Sequence, residues 1–242
     1  MLILNLGCGS KTSDHPNVVN IDWSIMLRVR CNPWLRPFAR ILINGDRFAR
    51  YNKLSSNLIV HDITKRLPFT DNSVDAVYHS HVLEHFDRNK AHEFLKEQLR
   101  VLRSGGIVRV VVPDFERSCR NYLDHILLCE RNPAAIDEHD GFVTPLLEMS
   151  VQREAFGSSQ QKPLRRTVEN LLLGDARQRG QTHQWMYDRF NLLSLLRSVG
   201  FNNIRYEKYD RSMIHDWHHY GLDLDQSGKE YKPGSLYVEA TA

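Results

Sequence analysis

The chain has 242 residues, of which 41% are hydrophobic and 25% charged, and its formal net charge is +3. This length and composition predict one α/β domain with insertions, and the apolar runs are too short to cross a membrane. The four cysteines (Cys8, Cys31, Cys119 and Cys129) lack CxxC spacing, which favours reduced cytoplasmic thiols over a disulfide framework or a zinc site.

Short apolar runs separated by helices or turns predict a mostly parallel sheet. Two helical segments, 90–103 and 190–199, are expected to end at Ser104-Gly105-Gly106 and at Gly200. The last two strands are joined by a turn-rich loop, so we expect an antiparallel hairpin at one sheet edge. The predicted strands are residues 3–6, 18–21, 58–60, 74–78, 107–112, 203–209 and 235–240.

Residues 24–58 form a basic insertion with seven Lys or Arg side chains and one acidic side chain, a local charge of +6. Its apolar residues recur at helical spacing, which is typical of a basic amphipathic helix. Such a helix either lies on an anionic membrane surface or packs its apolar face against the domain, and the sequence leaves both readings open. The apolar residues are Trp34, Leu35, Phe38, Ile41 and Leu42.

Residues 116–188 are polar and helix-prone, and they contain no segment with strand periodicity. We expect them to form a helical cap that binds substrate. The cap is an insertion within a single domain spanning residues 1–242, not a second domain.

The predicted first strand runs into Gly7-Cys8-Gly9, a turn in which glycine lets backbone approach a ligand closely. The dinucleotide motif GxGxxG is absent because Thr12 stands at its third glycine, and the P-loop pattern is absent too. Eight residues separate Gly9 from Val18, so the first crossover helix is expected to be vestigial. A ligand that needs phosphate contacts at a helix N-terminus is therefore not expected here.

Two acidic residues, Asp22 and Asp62, follow the second and third predicted strands. They lie on the carboxyl edge, where such sheets bind ligands and where acids accept hydrogen bonds from ribose hydroxyls. A glycine turn with two acids at strand ends suits a nucleoside without phosphates.

Several motifs in order resemble class I S-adenosylmethionine-dependent methyltransferases. The sequence is most similar to the type 11-like group found among bacterial surface-polysaccharide enzymes. The resemblance implies a Rossmann-like class I methyltransferase fold, with a mostly parallel sheet, an antiparallel C-terminal edge hairpin and a helical cap, and S-adenosylmethionine as cofactor. The motifs are LNLGCGS, VNID, HDITKRLPFTDNSVDAVYHSHVLEHF, LRVLRSGGIVRVVVPD, THQWMYD (182–188), LLRSVGF (195–201) and SLYVEA (235–240).

The same resemblance implies roles for single residues of the cofactor site. Gly7 and Gly9 would line the methionine moiety, and Asp22 would hold the ribose. Asp62 and Ile63 would contact the adenine. His81 would lie near the transferred methyl group. The remaining residues expected to contact cofactor are Asn5, Cys8, Trp23 and Ser80.

Methyl transfer to a hydroxyl requires a proton acceptor, whereas transfer to a carboxylate does not. The candidate bases are His81, Asp114 and His183. His79, His81 and His85 do not complete a recognised metal-ligand set, so no metal site is expected. Glu84 and His85 suit capping of the following helix as well as they suit chemistry.

The resemblance implies a sugar hydroxyl as acceptor, in a glycan or a glycan precursor that is lipid- or nucleotide-linked. Arg165 and Arg166 could grip an acidic sugar or phosphate, while Trp185 and Tyr187 suit either a sugar-stacking wall or core packing. Two alternatives remain open: a carboxylate, small-molecule or protein-nitrogen acceptor, and a catalytically silent binding or scaffold protein. Nucleic acid is not an expected partner, because no recognised binding module is present.

Overall fold

A seven-stranded mixed sheet organises the computed structural model, which describes residues 1–43, 46–150 and 182–242. The strand order is β3-β2-β1-β4-β5-β7-β6. Neighbouring strands from β3 to β5 in this order are parallel to each other, whereas β7 is antiparallel to both β5 and β6. This confirms the mostly parallel sheet and the antiparallel C-terminal edge. The strands are β1 (Ile3–Leu6), β2 (Val18–Asp22), β3 (Leu58–Val60), β4 (Val74–Ser80), β5 (Leu102–Pro113), β6 (Asn202–Glu207) and β7 (Ser235–Thr241).

Helices flank the sheet, and most of them follow a strand along the chain. The two helices predicted with clear periodicity, α4 (Arg88–Val101) and α7 (Arg189–Val199), pack on the same face of the sheet through Phe94, Leu95, Leu192 and Leu196. The described α-helices are α1 (Ile25–Cys31), α2 (Ala39–Leu42), α3 (Asp46–Asn52), α4 (Arg88–Val101), α5 (Phe115–Arg131), α6 (Asp140–Met149) and α7 (Arg189–Val199).

The strand side chains alternate between two cores, as the period of two along a strand requires. Leu4 and Val77 are fully buried in the core that contains α4 and α7. Ile3 and Tyr78, their neighbours in sequence, belong to a second core on the opposite face that includes Trp217. Burial on both faces explains why successive residues are apolar in Ile3-Leu4 of β1 and in Ala76-Val77-Tyr78 of β4.

Along the chain, β2 and β3 are added on one side of β1, whereas β4 and β5 are added on its other side. Because β1 lies between β2 and β4, loops leaving the carboxyl ends of β1 and β4 diverge and open a crevice. Gly7 follows β1 and His81 follows β4. Between Gly9 and Val18 the chain forms turns rather than a helix, as its length predicted.

The predicted helix C-terminus at Ser104-Gly105-Gly106 is wrong by a few residues. Helix α4 ends at Val101, and Leu102 already has extended backbone (φ −66°, ψ 135°) and pairs with Val74 in the sheet. The glycines belong to β5: Gly105 has φ +75°, and a Cβ on Gly106 would lie 2.8 Å from the Arg103 carbonyl oxygen. The pairing of two distant strands therefore overrides the local helix-stop signal.

The basic insertion (residues 24–58) is not a single amphipathic helix. It forms the short helices α1, α2 and α3, and Pro33 and Pro37 separate the first two, since proline removes a backbone donor. Ala39 is buried in a small core with α1 residues. The larger apolar side chains point outward: Trp34 is 85% exposed, Ile41 76% and Phe38 55%.

The described part of the expected cap consists of α5, α6, a short 3₁₀ helix, Pro133–Glu138, between them, and residues 182–188, which form neither helix nor strand. Arg165 and Arg166 lie outside the described residues. Within the described residues, no helix combines the length and apolarity needed to span a bilayer.

Candidate active site

The turn after β1 has two glycines in left-handed conformations, and each is required for a different reason. Gly7 has φ +65°, and a Cβ there would lie 2.5 Å from Val82 Cγ2. Gly9 has φ +53°, and a Cβ there would meet no atom within 4 Å. Gly7 is therefore fixed by packing against the loop after β4, whereas Gly9 leaves open space beside the backbone where a ligand can approach.

Asp22 closes this turn from the end of β2. Its Oδ2 accepts a hydrogen bond of 2.7 Å from the Gly9 N–H, and its Oδ1 accepts one of 2.6 Å from the Ser24 N–H. A carboxylate offers about four acceptor positions, so both oxygens keep capacity for a diol. Asp22 is only partly buried, which leaves it accessible to a ligand.

Asn5 and Cys8 support the turn from below. Asn5 is buried, and its Nδ2 donates to the Lys11 carbonyl and to Asn20 Oδ1, each at 2.9 Å. Cys8 is buried too, and this burial raises the pKa of its thiol. Trp23 is exposed beside Asp22, and the Arg28 guanidinium lies 5.1 Å from its ring centroid.

Asp62 and Ile63 approach the turn from β3. Asp62 Oδ1 accepts hydrogen bonds from the Thr64 N–H at 3.0 Å and the Thr64 hydroxyl at 2.7 Å. The Ile63 Cδ1 lies 3.3 Å from the position of a Gly7 Cβ. With the open space at Gly9 and the accessible Asp22 carboxylate, these residues fit a nucleoside whose sulfonium side chain lies along the glycine turn.

His81 is held in a strained conformation directly after β4. Its φ of +53° is in the left-handed region, uncommon for a non-glycine residue and frequent at functional sites. Its Nε2 lies 2.8 Å from the Ser235 hydroxyl and its Nδ1 3.5 Å from Glu84 Oε1. Burial, with a smaller effect of the Lys232 charge, lowers the pKa of His81 to about 3, so the ring is neutral.

Glu84, His85 and His183 form a polar group that we call the Glu84 cluster. One ligand-type atom of each lies within 4.8 Å of the others. Glu84 is 2% exposed. Within the described chain its carboxylate oxygens have no hydrogen-bond partner, although its own backbone N–H is nearby. Burial raises the pKa of Glu84 to about 8, and it lowers those of His85, to about 4, and of His183.

The three histidines considered together in the sequence, His79, His81 and His85, differ in their surroundings. His79 is fully buried against Phe94, with ring centroids 5.1 Å apart, and burial lowers its pKa to about 3. The alternative role of Glu84 as a helix cap is also wrong, because Asp87 caps α4 by accepting from the Lys90 N–H at 2.9 Å. Sequence reasoning missed the Glu84 cluster, although its members lie in two of the resemblance motifs, HVLEHF and THQWMYD.

Asp114, Trp185 and Tyr187 lie around the same region. Asp114 Oδ1 caps α5 by accepting from the Arg117 N–H at 3.0 Å. Trp185 is partly buried, with the Arg88 guanidinium 5.0 Å from its ring centroid. Tyr187 is buried in the main core. A small cleft joins this region to the Glu84 cluster, and its lining includes Glu84, Phe115, Met149, His183, Trp185 and Tyr187.

Residues 29–110, about a third of the chain, match a family model described as a methyltransferase domain. No curated protein sequence matches the chain at a significant level.

Several solved methyltransferase structures are similar at low identity. A SAM-dependent methyltransferase from Archaeoglobus fulgidus is 12% identical, with 99% of this chain and 85% of that chain covered and a TM-score of 0.42. One from Methanosarcina mazei is 16% identical, with 99% and 91% covered and a TM-score of 0.43. A putative Haloferax volcanii methyltransferase, in complex with the Trm112 methyltransferase activator, is 16% identical, with 100% and 82% covered and a TM-score of 0.42. Nothing about an acceptor follows from similarities at this level.

The match of the methyltransferase model covers the chain from α1 into β5, which includes β3 and the end of β4 beside the candidate site but not the glycine turn or Asp22. The strand order and the glycine turn closed by Asp22 agree with it. These findings support an S-adenosylmethionine-dependent methyltransferase with a Rossmann-like class I fold.

Proposed function

We propose that the protein methylates a hydroxyl group of a sugar, in a glycan or glycan precursor of surface-polysaccharide biosynthesis. The observation that carries the proposal is the position of the Glu84 cluster. It opens into a small cleft whose wall includes Trp185, and Val82, two residues before Glu84, packs against the glycine turn. Aromatic faces suit the apolar surface of a pyranose, and a hydroxyl acceptor needs a nearby group that handles its proton.

S-adenosylmethionine supplies an activated methyl group on a sulfonium, so the protein mainly aligns the acceptor and removes its proton. Gly9, Asp22 and Asp62 are the residues that would hold the cofactor. His183 is the best-placed candidate base, because it lines the cleft and its lowered pKa keeps it neutral near pH 7. His81 is less available because its ring lies between Ser235 and Glu84.

A methyl-transfer assay on a panel of sugars, lipid-linked glycans and nucleotide sugars tests this proposal through formation of S-adenosylhomocysteine. For a hydroxyl acceptor, His183→Ala is expected to lower kcat by about 10²–10⁴-fold with the KM for cofactor unchanged. His215→Ala, at an exposed histidine, is the matched control.

Equal turnover in His183→Ala would favour a carboxylate or another acceptor that needs no base. Cofactor binding without turnover on any acceptor would favour a catalytically silent binding or scaffold protein. Either outcome contradicts the sugar-hydroxyl proposal.

We further propose that the basic insertion contacts an anionic membrane surface, which would bring the site to a lipid-linked acceptor on the cytoplasmic face. Trp34, Phe38 and Ile41 are exposed, and Arg36 and Arg40 lie among them, also exposed. Apolar side chains with interspersed cations are the features that bind interfacial segments to anionic lipids.

Sedimentation with phosphatidylglycerol and phosphatidylcholine vesicles tests this contact. We expect salt-sensitive binding to the anionic vesicles, reduced about tenfold or more by combined Trp34→Ser and Ile41→Ser. Phe190→Ser, at a residue 64% exposed on α7, is the control and should bind as the wild type does. Equal binding by the insertion variant, or none by the wild type, would refute the contact.

A further inference from the structure

We propose that Glu84, His85 and His183 form a binding site for a divalent transition-metal ion, and that zinc is the ion bound. Their candidate ligand atoms all lie within 4.8 Å of one another. Two imidazoles and one carboxylate make up the ligand set of several catalytic zinc sites, in which a fourth position stays open for water or substrate.

The buried carboxyl group of Glu84 is the first observation that favours a metal ion at this place. Its carboxylate is 2% exposed, and neither oxygen has a hydrogen-bond partner among the residues that the structure describes. Burial favours the neutral form of this group. A buried carboxyl group that receives no hydrogen bond from another residue is still unfavourable, and buried acidic groups are normally paired or coordinate metals. A cation held between Glu84 and the two histidines supplies the missing partner.

The environment of the two histidines is the second observation. His85 Nδ1 lies 3.2 Å from the Thr182 carbonyl oxygen, which can only accept, so Nδ1 carries the proton and Nε2 keeps its lone pair. The backbone of Glu148 and Met149 lies near the His183 ring and favours its protonated form, which partly offsets the effect of burial on its pKa. Metal-binding histidines are usually fixed as His85 is, through a second nitrogen that donates to a carbonyl or carboxylate.

The backbone holds the two ligand-bearing segments together. The Gln184 N–H donates to the Glu84 carbonyl at 2.7 Å, and the Trp185 N–H contacts the same oxygen at 3.2 Å. The ring centroids of His85 and His183 are 5.0 Å apart. Around a tetrahedral zinc ion with bonds of about 2.0–2.1 Å, ligand atoms are roughly 3.3 Å apart. Small side-chain rotations are therefore sufficient to close the site.

Other charged and titratable groups also face the cluster. His81 Nδ1 lies 3.5 Å from Glu84 Oε1, and the Lys232 ammonium is close enough to affect Glu84 and His85 electrostatically. The lysine opposes a cation, so its removal by Lys232→Met should tighten metal binding. Lys232→Met and the variants of the metal ligands should therefore change the metal affinity in opposite directions.

The role of the ion, but not its binding, rests on the proposed function. An ion with one open position would bind the acceptor hydroxyl and lower its pKa, as zinc does for bound water, with the proton leaving to solvent. The Glu84 cluster would then act through the charge of the ion rather than through His183 as a free base.

The first test is a Co²⁺ titration of the tag-free, chelator-treated full chain, followed by visible absorption and by competition with Zn²⁺. We expect one high-affinity equivalent with a tetrahedral cobalt spectrum that zinc abolishes. Glu84→Gln and His183→Ala should each weaken binding by at least about tenfold, while circular dichroism shows that both variants fold.

A matched control is required because His125, Cys129 and His139 form a second compact group of ligand-type residues. His139→Ala should leave the high-affinity equivalent intact. Loss of that equivalent in His139→Ala but not in His183→Ala would place the metal at the second group and overturn the inference. Absence of a tetrahedral cobalt spectrum in the wild type would overturn it as well.

The same experiments separate this inference from the proposed function. Zinc binding at the Glu84 cluster without methyl transfer to any hydroxyl would leave the metal site standing and refute the acceptor. Hydroxyl methylation that chelators do not affect, together with the absence of a cobalt spectrum, would support the proposed acceptor and refute the metal site.

Discussion

The Gly9 N–H donates a hydrogen bond of 2.7 Å to Asp22 Oδ2, which joins the turn after β1 to the end of β2. The acid expected to hold a ribose thus also fixes the backbone on which the cofactor would lie. Because Asp22 also accepts from the Ser24 N–H at 2.6 Å, a single side chain orders both loops at this edge. Cofactor affinity and local stability should therefore change together when it is altered.

Asp22→Ala should lower the free energy of unfolding by about 1–3 kcal/mol, because two backbone N–H groups lose their acceptor. Urea denaturation measures this change. Asp14→Ala, at an exposed acid in the neighbouring loop, should leave stability within about 0.5 kcal/mol. Equal stability of the Asp22 and Asp14 variants would show that the two backbone bonds contribute nothing.

Alanine substitutions at the two turn glycines should separate packing from ligand approach. Gly9→Ala should lose about 1–2 kcal/mol of stability from its left-handed backbone and lose cofactor binding, since the new methyl group enters open space. Gly7→Ala should lose about 1–3 kcal/mol more, because its Cβ overlaps Val82.

The contact with Val82 can be tested in a double variant. Adding Val82→Ala to Gly7→Ala should recover part of the lost stability, measured by a double-mutant cycle in urea. Strict additivity of the two substitutions would argue against the predicted overlap.

His79 should make the fold sensitive to acid. Burial lowers its folded-state pKa from 6.5 to about 3. The unfolded chain therefore binds the extra proton first, and the contribution of His79 to stability is lost as pH falls from about 6.5 towards 3. The slope from this group approaches about 1.4 kcal/mol per pH unit well inside that window.

His79→Leu should remove this contribution, and it should be neutral or stabilising at pH 7 because the buried ring nitrogens have no partners within the described residues. Urea unfolding of both proteins at pH 7, 6 and 5 gives the difference. Parallel pH profiles would contradict the assignment.

Asp223 should be essential to the second core. It accepts from Arg109 Nε at 2.7 Å, the Tyr78 hydroxyl at 2.7 Å and Trp217 Nε1 at 2.8 Å. Asp223→Ala leaves the buried Arg109 guanidinium short of a counter-charge, which typically costs 3–5 kcal/mol, so we expect a loss of about that size. Thermal and urea unfolding measure it, with the exposed Asp210→Ala as control. A loss similar to that of the control would mean that Glu239, which also pairs with Arg109, is sufficient alone.

The sheet was predictable because its strands are buried on both faces, which makes successive residues apolar, as in Ile3-Leu4 of β1 and Ala76-Val77-Tyr78 of β4. The C-terminus of α4 was not, because the pairing of Leu102 with Val74 is a long-range contact that a local Gly-Gly signal does not report. The basic insertion was misjudged for a related reason. Helical spacing was present, but Pro33 and Pro37 divide it into short helices.

The residues of the candidate site that lie at the ends of individual strands could be predicted from the sequence. Gly9, Asp22 and His81 each lie at a strand end or within three residues of one, so their shared edge follows from a parallel sheet. The meeting of Glu84 with His183 depends on backbone bonds between segments far apart in the chain, such as Gln184 N–H to the Glu84 carbonyl. No local pattern encodes that contact.

The most direct test of the account is a calorimetric titration of the purified protein with S-adenosylmethionine and S-adenosylhomocysteine, alongside Asp22→Asn and Asp14→Ala. The account predicts one-to-one binding of both ligands, weakened at least about tenfold in Asp22→Asn, equivalent to about 1.4 kcal/mol, and unchanged in Asp14→Ala. Folded wild-type protein that binds neither ligand, or an Asp22→Asn variant that binds as tightly as the wild type, would contradict it.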